Sequence, residues 1–194
     1  WRNYCISDSY EPGSTFKPIT IAACLDEGKA SANSTYVCDG GQQVADRYIK
    51  CVANKYGGHG ALSLGQALMV SCNDVMMQIS AKLGKEKFLD YMDAFGLGRK
   101  TGIDLPGEAT GTVFNNDTMH STQLATSSFG QSQTVTMVQM AAAFSAIVNG
   151  GNYYRPHVVE EVSSESGADH SYPFSGKNYL LIETMTLHLY PKYH

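Results

Sequence analysis

Capping signals cut the 194-residue chain into short helical stretches and leave little freedom over where each begins and ends. Ser63-Leu64-Gly65-Gln66 and Thr136-Met137-Val138-Gln139 have the spacing of a capping box. In that motif the hydroxyl accepts from the N–H three residues on and the glutamine reaches back. Phe16, Ile19, Ala23 and Cys24 form an apolar stripe at helical intervals, closed by Gly28. The Ser63 box predicts a helix to about Val70. Asn73 or Asp74 is expected to cap a helix from Val75 to about Leu83, ended by Gly84, with a further helix over Lys85 to Ala94. The Thr136 box opens a helix to about Val148, stopped by Asn149-Gly150-Gly151. Residues 29–60 read as loop and short strand, and residues 99–117 as turns. Val158, Val159 and Val162 make Tyr153 to Val162 a strand. The longest apolar stretch, Met137 to Val148, is interrupted by Gln139 and Ser145, and it falls short of the ~18 residues that cross a bilayer.

Hydrophobic residues make up 43% of the chain, enough for a packed core. The formal charge of −4 lacks the basic footprint of a nucleic-acid binder. The chain opens at Trp1 with no initiator Met, which reads as a segment of a longer protein. Five cysteines (Cys5, Cys24, Cys38, Cys51 and Cys72) cannot all pair internally, and no C-x-x-C pair occurs among them. Cys38 and Cys51 bracket a Gly-containing segment able to fold back as a hairpin. Two readings stand side by side for this pair, a disulfide in an extracytoplasmic protein or two free thiols in a reduced one. The histidines are scattered, and none pairs with another at metal-ligand spacing, so no metal and no cofactor are expected.

Two constellations can carry chemistry. Ser14-Thr15-Phe16-Lys17 puts Ser14 and Lys17 on one helical face, just after Pro12-Gly13. The positive end of the helix disfavours an ammonium there. A partly buried, neutral Lys17 can therefore take the hydroxyl proton of Ser14. Pro18, which has no N–H, fits only near a helix start. Ser71-Cys72-Asn73 lies between two helices, with a hydroxyl able to relay a proton and an amide able to hold a carbonyl. Taken singly, the first set also fits a capped surface helix and the second fits ordinary helix-boundary residues.

Taken together, they resemble a known family. Tyr10 to Pro18 is similar to the nucleophile motif of penicillin-binding proteins, the serine transpeptidases that cross-link peptidoglycan. His59-Gly60, Ser71-Cys72-Asn73, Phe95-Gly96-Leu97-Gly98, Thr101 to Glu108 and Ser128-Phe129-Gly130-Gln131 follow in the family's order. Thr134 to Gln139, Asn149-Gly150-Gly151 and Pro156 also match. The resemblance runs over roughly residues 3 to 162 and looks most like a class B transpeptidase domain.

The resemblance implies an α/β, serine transpeptidase/β-lactamase-like domain, present as its helix-rich part with an incomplete antiparallel sheet. It divides the chain into a partial transpeptidase domain, residues 1–162, and a divergent or truncated tail, residues 163–194. It implies acylation of Ser14 with Lys17 as base, Ser71 and Asn73 as the second motif, and the Ser14 N–H as an oxyanion donor. The implied partners are a peptidoglycan stem peptide ending in D-Ala-D-Ala and the β-lactams that mimic it, with no nucleic acid. This segment would make no membrane contact, while the parent protein would be anchored on the extracytoplasmic face of the bacterial membrane. The family's third motif, Lys-Thr/Ser-Gly, has no counterpart here. Lys100-Thr101-Gly102 has its letters on a different family loop, and Ser175-Gly176-Lys177 reverses their order. Activity of this chain is therefore expected to be diminished, by ~10²–10³ for one lost oxyanion donor. Two other classes remain open. A serine β-lactamase or β-lactam sensor domain shares the first two motifs, although no Glu-x-x-x-Asn run follows Ser71. A non-catalytic fragment is the other.

Overall fold

The computed structural model describes residues 2–159 and the backbone of residues 179–180. In chain order it contains α1 (Tyr4–Ser7), β1 (Ser9–Tyr10), and a 3-10 turn (Gly13–Phe16) that runs into α2 (Lys17–Asp26). β2 (Thr35–Cys38), β3 (Gly41–Val44), β4 (Arg47–Lys50), a 3-10 turn (Asn54–Tyr56) and β5 (Gly60–Ser63) follow. Then come α3 (Leu64–Met69), α4 (Asn73–Leu83), α5 (Lys85–Ala94), α6 (Ser121–Ser127), β6 (Val135–Thr136), α7 (Met137–Val148), β7 (Asn152–Tyr153) and β8 (Tyr179–Leu180). The strands pair antiparallel as β1–β6, β2–β5, β3–β4 and β7–β8. Helices therefore dominate, with small antiparallel pieces of sheet.

The helix ends follow local hydrogen bonding. At the end of α2, Gly28 has φ +63°, its N–H donates to Leu25 O at 3.1 Å, and Lys29 N–H donates to Cys24 O at 2.8 Å. This is a Schellman ending, which needs a left-handed residue at Gly28. Both capping boxes form, with Gln66 N 3.2 Å from Ser63 Oγ and Gln139 N 3.3 Å from Thr136 Oγ1. Gln139 is fully buried and also donates to Arg99 O at 2.6 Å and Thr110 O at 2.9 Å, so the cap of α7 fastens the 99–110 loop.

α2 packs against both α4 and α7. It is buried on most of its circumference rather than along one stripe, because Ala22 and Ala23 let the neighbouring helices approach closely. Phe16, Ile19, Val75, Met76, Ile79 and Ala143 meet there, and full burial of each large side chain is worth ~1.5–3 kcal/mol.

Two sequence expectations are corrected. The cap of α4 is Cys72, whose Sγ accepts from Val75 N at 3.5 Å, and not Asn73 or Asp74. Asp74 is instead buried inside the first turn, where Gln42 and Gln78 donate to its Oδ1 at 2.6 and 2.8 Å. The strand expected over Tyr153 to Val162 is confined to Asn152–Tyr153 within the described residues. The N–H groups of Val158 and Val159 donate to the Asp104 carboxylate at 2.8 and 2.7 Å, which takes the place of a strand partner. Residues 160–162, most of the expected tail and Ser175-Gly176-Lys177 lie outside the described residues.

Candidate active site

A backbone contact that depends on a glycine at position 130 fixes the turn carrying Ser14. Gly13, at φ +56°, donates its N–H to Gly130 O at 2.9 Å. Gly130 has φ +80°, and a Cβ there would lie 2.1 Å from Gly13 O. Thr20 Oγ1 donates to Ser128 O at 2.8 Å and Ser132 N–H to Glu11 Oε1 at 2.9 Å, so the Ser128–Gln131 motif is stitched to both flanks of the turn. The side chain of Thr15 bonds back to Pro12 O at 2.7 Å and tightens the 3-10 start. Ser14 is exposed at the surface while Lys17, one turn on, is completely buried.

Lys17 Nζ donates to Ser14 Oγ at 3.1 Å and to both Ser71 Oγ and Ser71 O at 2.6 Å. Ser71 Oγ closes the triangle by donating to Ser14 Oγ at 2.8 Å. The three bonds from Nζ match the three protons of an ammonium. Losing one proton gives Nζ a lone pair facing the Ser14 hydroxyl. Ser71 sits at φ +53°, a left-handed conformation that costs a non-glycine residue ~1–3 kcal/mol. The double grip of Lys17 on its carbonyl and hydroxyl holds it there.

Burial lowers the Lys17 pKa from 10.5 to about 8, against a weaker opposing pull from the thiols of Cys51 and Cys72. At pH 7 about a tenth of the molecules then carry the amine, compared with about one in 3,000 for an ordinary lysine. Asn73, the first residue of α4, is half-buried, and its side-chain amide makes no hydrogen bond among the described residues. The structure thus joins Ser14, Lys17 and Ser71 in one network and places Asn73 two residues from Ser71.

Lys100 is exposed on a loop. The neighbouring Thr101 N–H and Gly102 N–H donate to the Glu108 carboxylate at 2.7 and 3.1 Å, so this loop is held by its own acid.

A second grouping lies beside Ser71. Cys38, Cys51, His59 and Cys72 bring their ligand atoms within 4.8 Å of one another, and they are the residues most able to hold a metal among those described. The spacing of histidines did not reveal them, because four separate segments supply one donor each. The β3–β4 hairpin expected between Cys38 and Cys51 forms, with all five cysteines as free thiols. Burial opposes ionisation of Cys51, but N–H groups of Ala53, Asp74 and Asn73 and the Cys72 thiol outweigh it and hold its pKa below the usual thiol value.

Comparison with known proteins agrees with this geometry. The family model described as penicillin binding protein transpeptidase domain matches residues 1–187, running past the residue 162 at which the recognisable motifs stop. Stage V sporulation protein D of Bacillus subtilis is 42% identical over 161 residues, covering 82% of this chain and 25% of that protein. The peptidoglycan D,D-transpeptidase FtsI homolog of Mesostigma viride is 30% identical over 171 residues, covering 82% of this chain and 28% of that protein. Penicillin binding protein 3 of Mycobacterium tuberculosis, solved with aztreonam, superposes with a TM-score of 0.87 at 25% identity, over 95% of this chain and 40% of that one. The chain spans about a quarter of the length of the curated relatives it matches. Its fold is the serine transpeptidase/β-lactamase-like one shared with these structures. Over residues 1–187, the chain belongs to the penicillin-binding protein transpeptidase domain family.

Proposed function

We propose that the protein carrying this chain is a peptidoglycan D,D-transpeptidase working through an acyl-Ser14 intermediate. The closed hydrogen-bond triangle of Ser14, Lys17 and Ser71 carries the reading. Neutral Lys17 takes the Ser14 proton as Oγ attacks the carbonyl of the penultimate D-Ala in a stem peptide. The Ser14 N–H, in the first turn of a helix where such groups lack intrahelical partners, faces the developing oxyanion. Ser71, bonded to both Lys17 and Ser14, passes a proton to the departing amine of the terminal D-Ala. The Asn73 amide holds the substrate backbone. An amine of a second stem then attacks the ester, gives its proton back through Lys17, and frees Ser14.

β-Lactams present the same carbonyl and would remain on Ser14. Such chemistry places the protein on the extracytoplasmic face of a bacterial membrane, where peptidoglycan is. Among the described residues no helix is long and apolar enough to cross a membrane.

The test is labelling by a fluorescent penicillin with peptide mapping. Ser14→Ala is expected to abolish labelling while leaving the fold intact, since the side chain is exposed. Persistent labelling of that variant would overturn the assignment. Rapid turnover of the antibiotic in place of a lasting adduct would favour a β-lactamase.

A further inference from the structure

Acyl transfer uses none of the four donors gathered beside Ser71. Cys38 ends β2, Cys51 follows β4, His59 precedes β5 and Cys72 caps α4. His59 Nδ1 lies 3.5 Å from Cys38 Sγ and 3.7 Å from Cys51 Sγ, and Cys51 Sγ lies 3.8 Å from Cys72 Sγ. Around a tetrahedral ion with metal–sulfur bonds of about 2.3 Å and a metal–nitrogen bond of about 2.0–2.1 Å, sulfur–sulfur edges are about 3.8 Å and sulfur–nitrogen edges about 3.6 Å. Three of the six edges of such a tetrahedron are therefore already near their bonded length, and the remaining donor pairs lie within 4.8 Å. The three cysteines are buried, and His59 is half-buried at the rim.

We propose that Cys38, Cys51, His59 and Cys72 bind one zinc ion in a closed site of three thiolates and one imidazole. Three thiols lose their protons as three zinc–sulfur bonds form, and neutral His59 donates the lone pair of Nδ1. Zn2+ and the four side chains thus give a site of net charge −1 and release three protons. Soft thiolates with one imidazole in a tetrahedron suit zinc, and four protein ligands leave no open position, so the site is structural.

Cys72 Sγ already accepts from Val75 N–H at 3.5 Å at the start of α4. Gly58 lets the chain pass close to Cys38, because a Cβ there would lie 2.2 Å from Cys38 O. A disulfide between any two of the sulfurs would leave the third thiol and the imidazole without a role, whereas one ion engages all four.

The ion would tie β2 and the β3–β4 hairpin to the start of α4. Cys72 stands between Ser71 and Asn73, so the site also positions the second motif, a consequence that rests on the proposed acyl-transfer reading.

The test expresses the protein carrying this chain with zinc and purifies it under reductant. Elemental analysis is expected to find one zinc per chain after gel filtration. Cobalt substitution should give intense thiolate-to-cobalt absorption with the visible bands of a tetrahedral ion. His59→Ala should weaken zinc binding by more than the ~10–100-fold that loss of an outer-sphere partner costs. His59→Cys should retain the ion in a site of four thiolates, and it shows that the position tolerates change if Cys51→Ser fails to fold. Zinc bound by Ser14→Ala, which takes no penicillin, separates this site from the acyl-transfer reading. Folded, reduced protein that binds neither ion stoichiometrically would overturn the proposal, as would unchanged affinity in His59→Ala or a disulfide persisting among these cysteines under reductant.

Discussion

Replacing Gly130 by alanine tests whether the glycine-to-glycine contact holds the turn that carries Ser14. The new Cβ would start 2.1 Å from Gly13 O and 2.7 Å from Gly13 N. An ordinary carbon–oxygen approach is about 3.3 Å, so the two backbones must part by about 1.2 Å. The left-handed φ of +80° adds ~1–2 kcal/mol of strain for a residue with a Cβ. Losing the Gly13 N–H bond to Gly130 O costs ~1 kcal/mol more. A total of ~2–3 kcal/mol corresponds to a melting point lower by ~4–12 °C in a domain of this size. Ser14 follows Gly13 directly, and a misplacement of ~1 Å at a reacting centre costs ~10²-fold in rate. Thermal melting and the second-order rate of penicillin acylation measure the two effects. Gly65→Ala is the control. Gly65 lies within α3 with nothing near an added Cβ, so alanine there should be neutral or stabilise by up to ~1 kcal/mol. Unchanged melting and acylation in Gly130→Ala would refute the idea that this contact fixes Ser14.

The remaining predictions concern the two lysines. Acylation should rise with pH along a limb near 8, as Lys17 passes from ammonium to amine, and a rate already level well below that limb would remove Lys17 as the base. Because the folded pKa lies below 10.5, burying Lys17 destabilises the fold most below about 8, and this cost fades as pH rises towards 10.5; Lys17→Met should flatten that part of the stability–pH curve in chemical denaturation. Lys100→Ala should leave acylation within a few-fold of the parent, since the residue is exposed and solvated; a ~10²-fold loss would make the Lys100-Thr101-Gly102 loop part of the catalytic machinery.

What the sequence determined by itself is what lies within about one helical turn. The Ser63/Gln66 and Thr136/Gln139 boxes, the Gly28 ending of α2 and the bounds of α5 and α7 were legible because each is fixed by hydrogen bonds spanning three to five residues. The Ser14–Lys17 pair belongs to the same class, since a spacing of three on a helix brings two side chains together wherever the helix lies. The tertiary structure decided whatever depends on distant segments meeting. Ser71 reaches Lys17 across more than fifty residues, a contact that adds to the local bonds from Ser71 N–H to Leu68 O and from Cys72 N–H to Ala67 O in holding its left-handed backbone. Cys72 displaced Asn73 and Asp74 as the cap of α4 because Asp74 was drawn inward by Gln42 of β3. The run of valines after Tyr153 did not extend the strand, since Asp104 took the N–H groups of Val158 and Val159. Cys38, Cys51, His59 and Cys72 carry no metal-binding spacing along the chain and converge only when β2, the β3–β4 hairpin and α4 pack against one another. Spacing along a chain encodes contacts inside one element, whereas contacts between elements depend on which surfaces the core buries against each other.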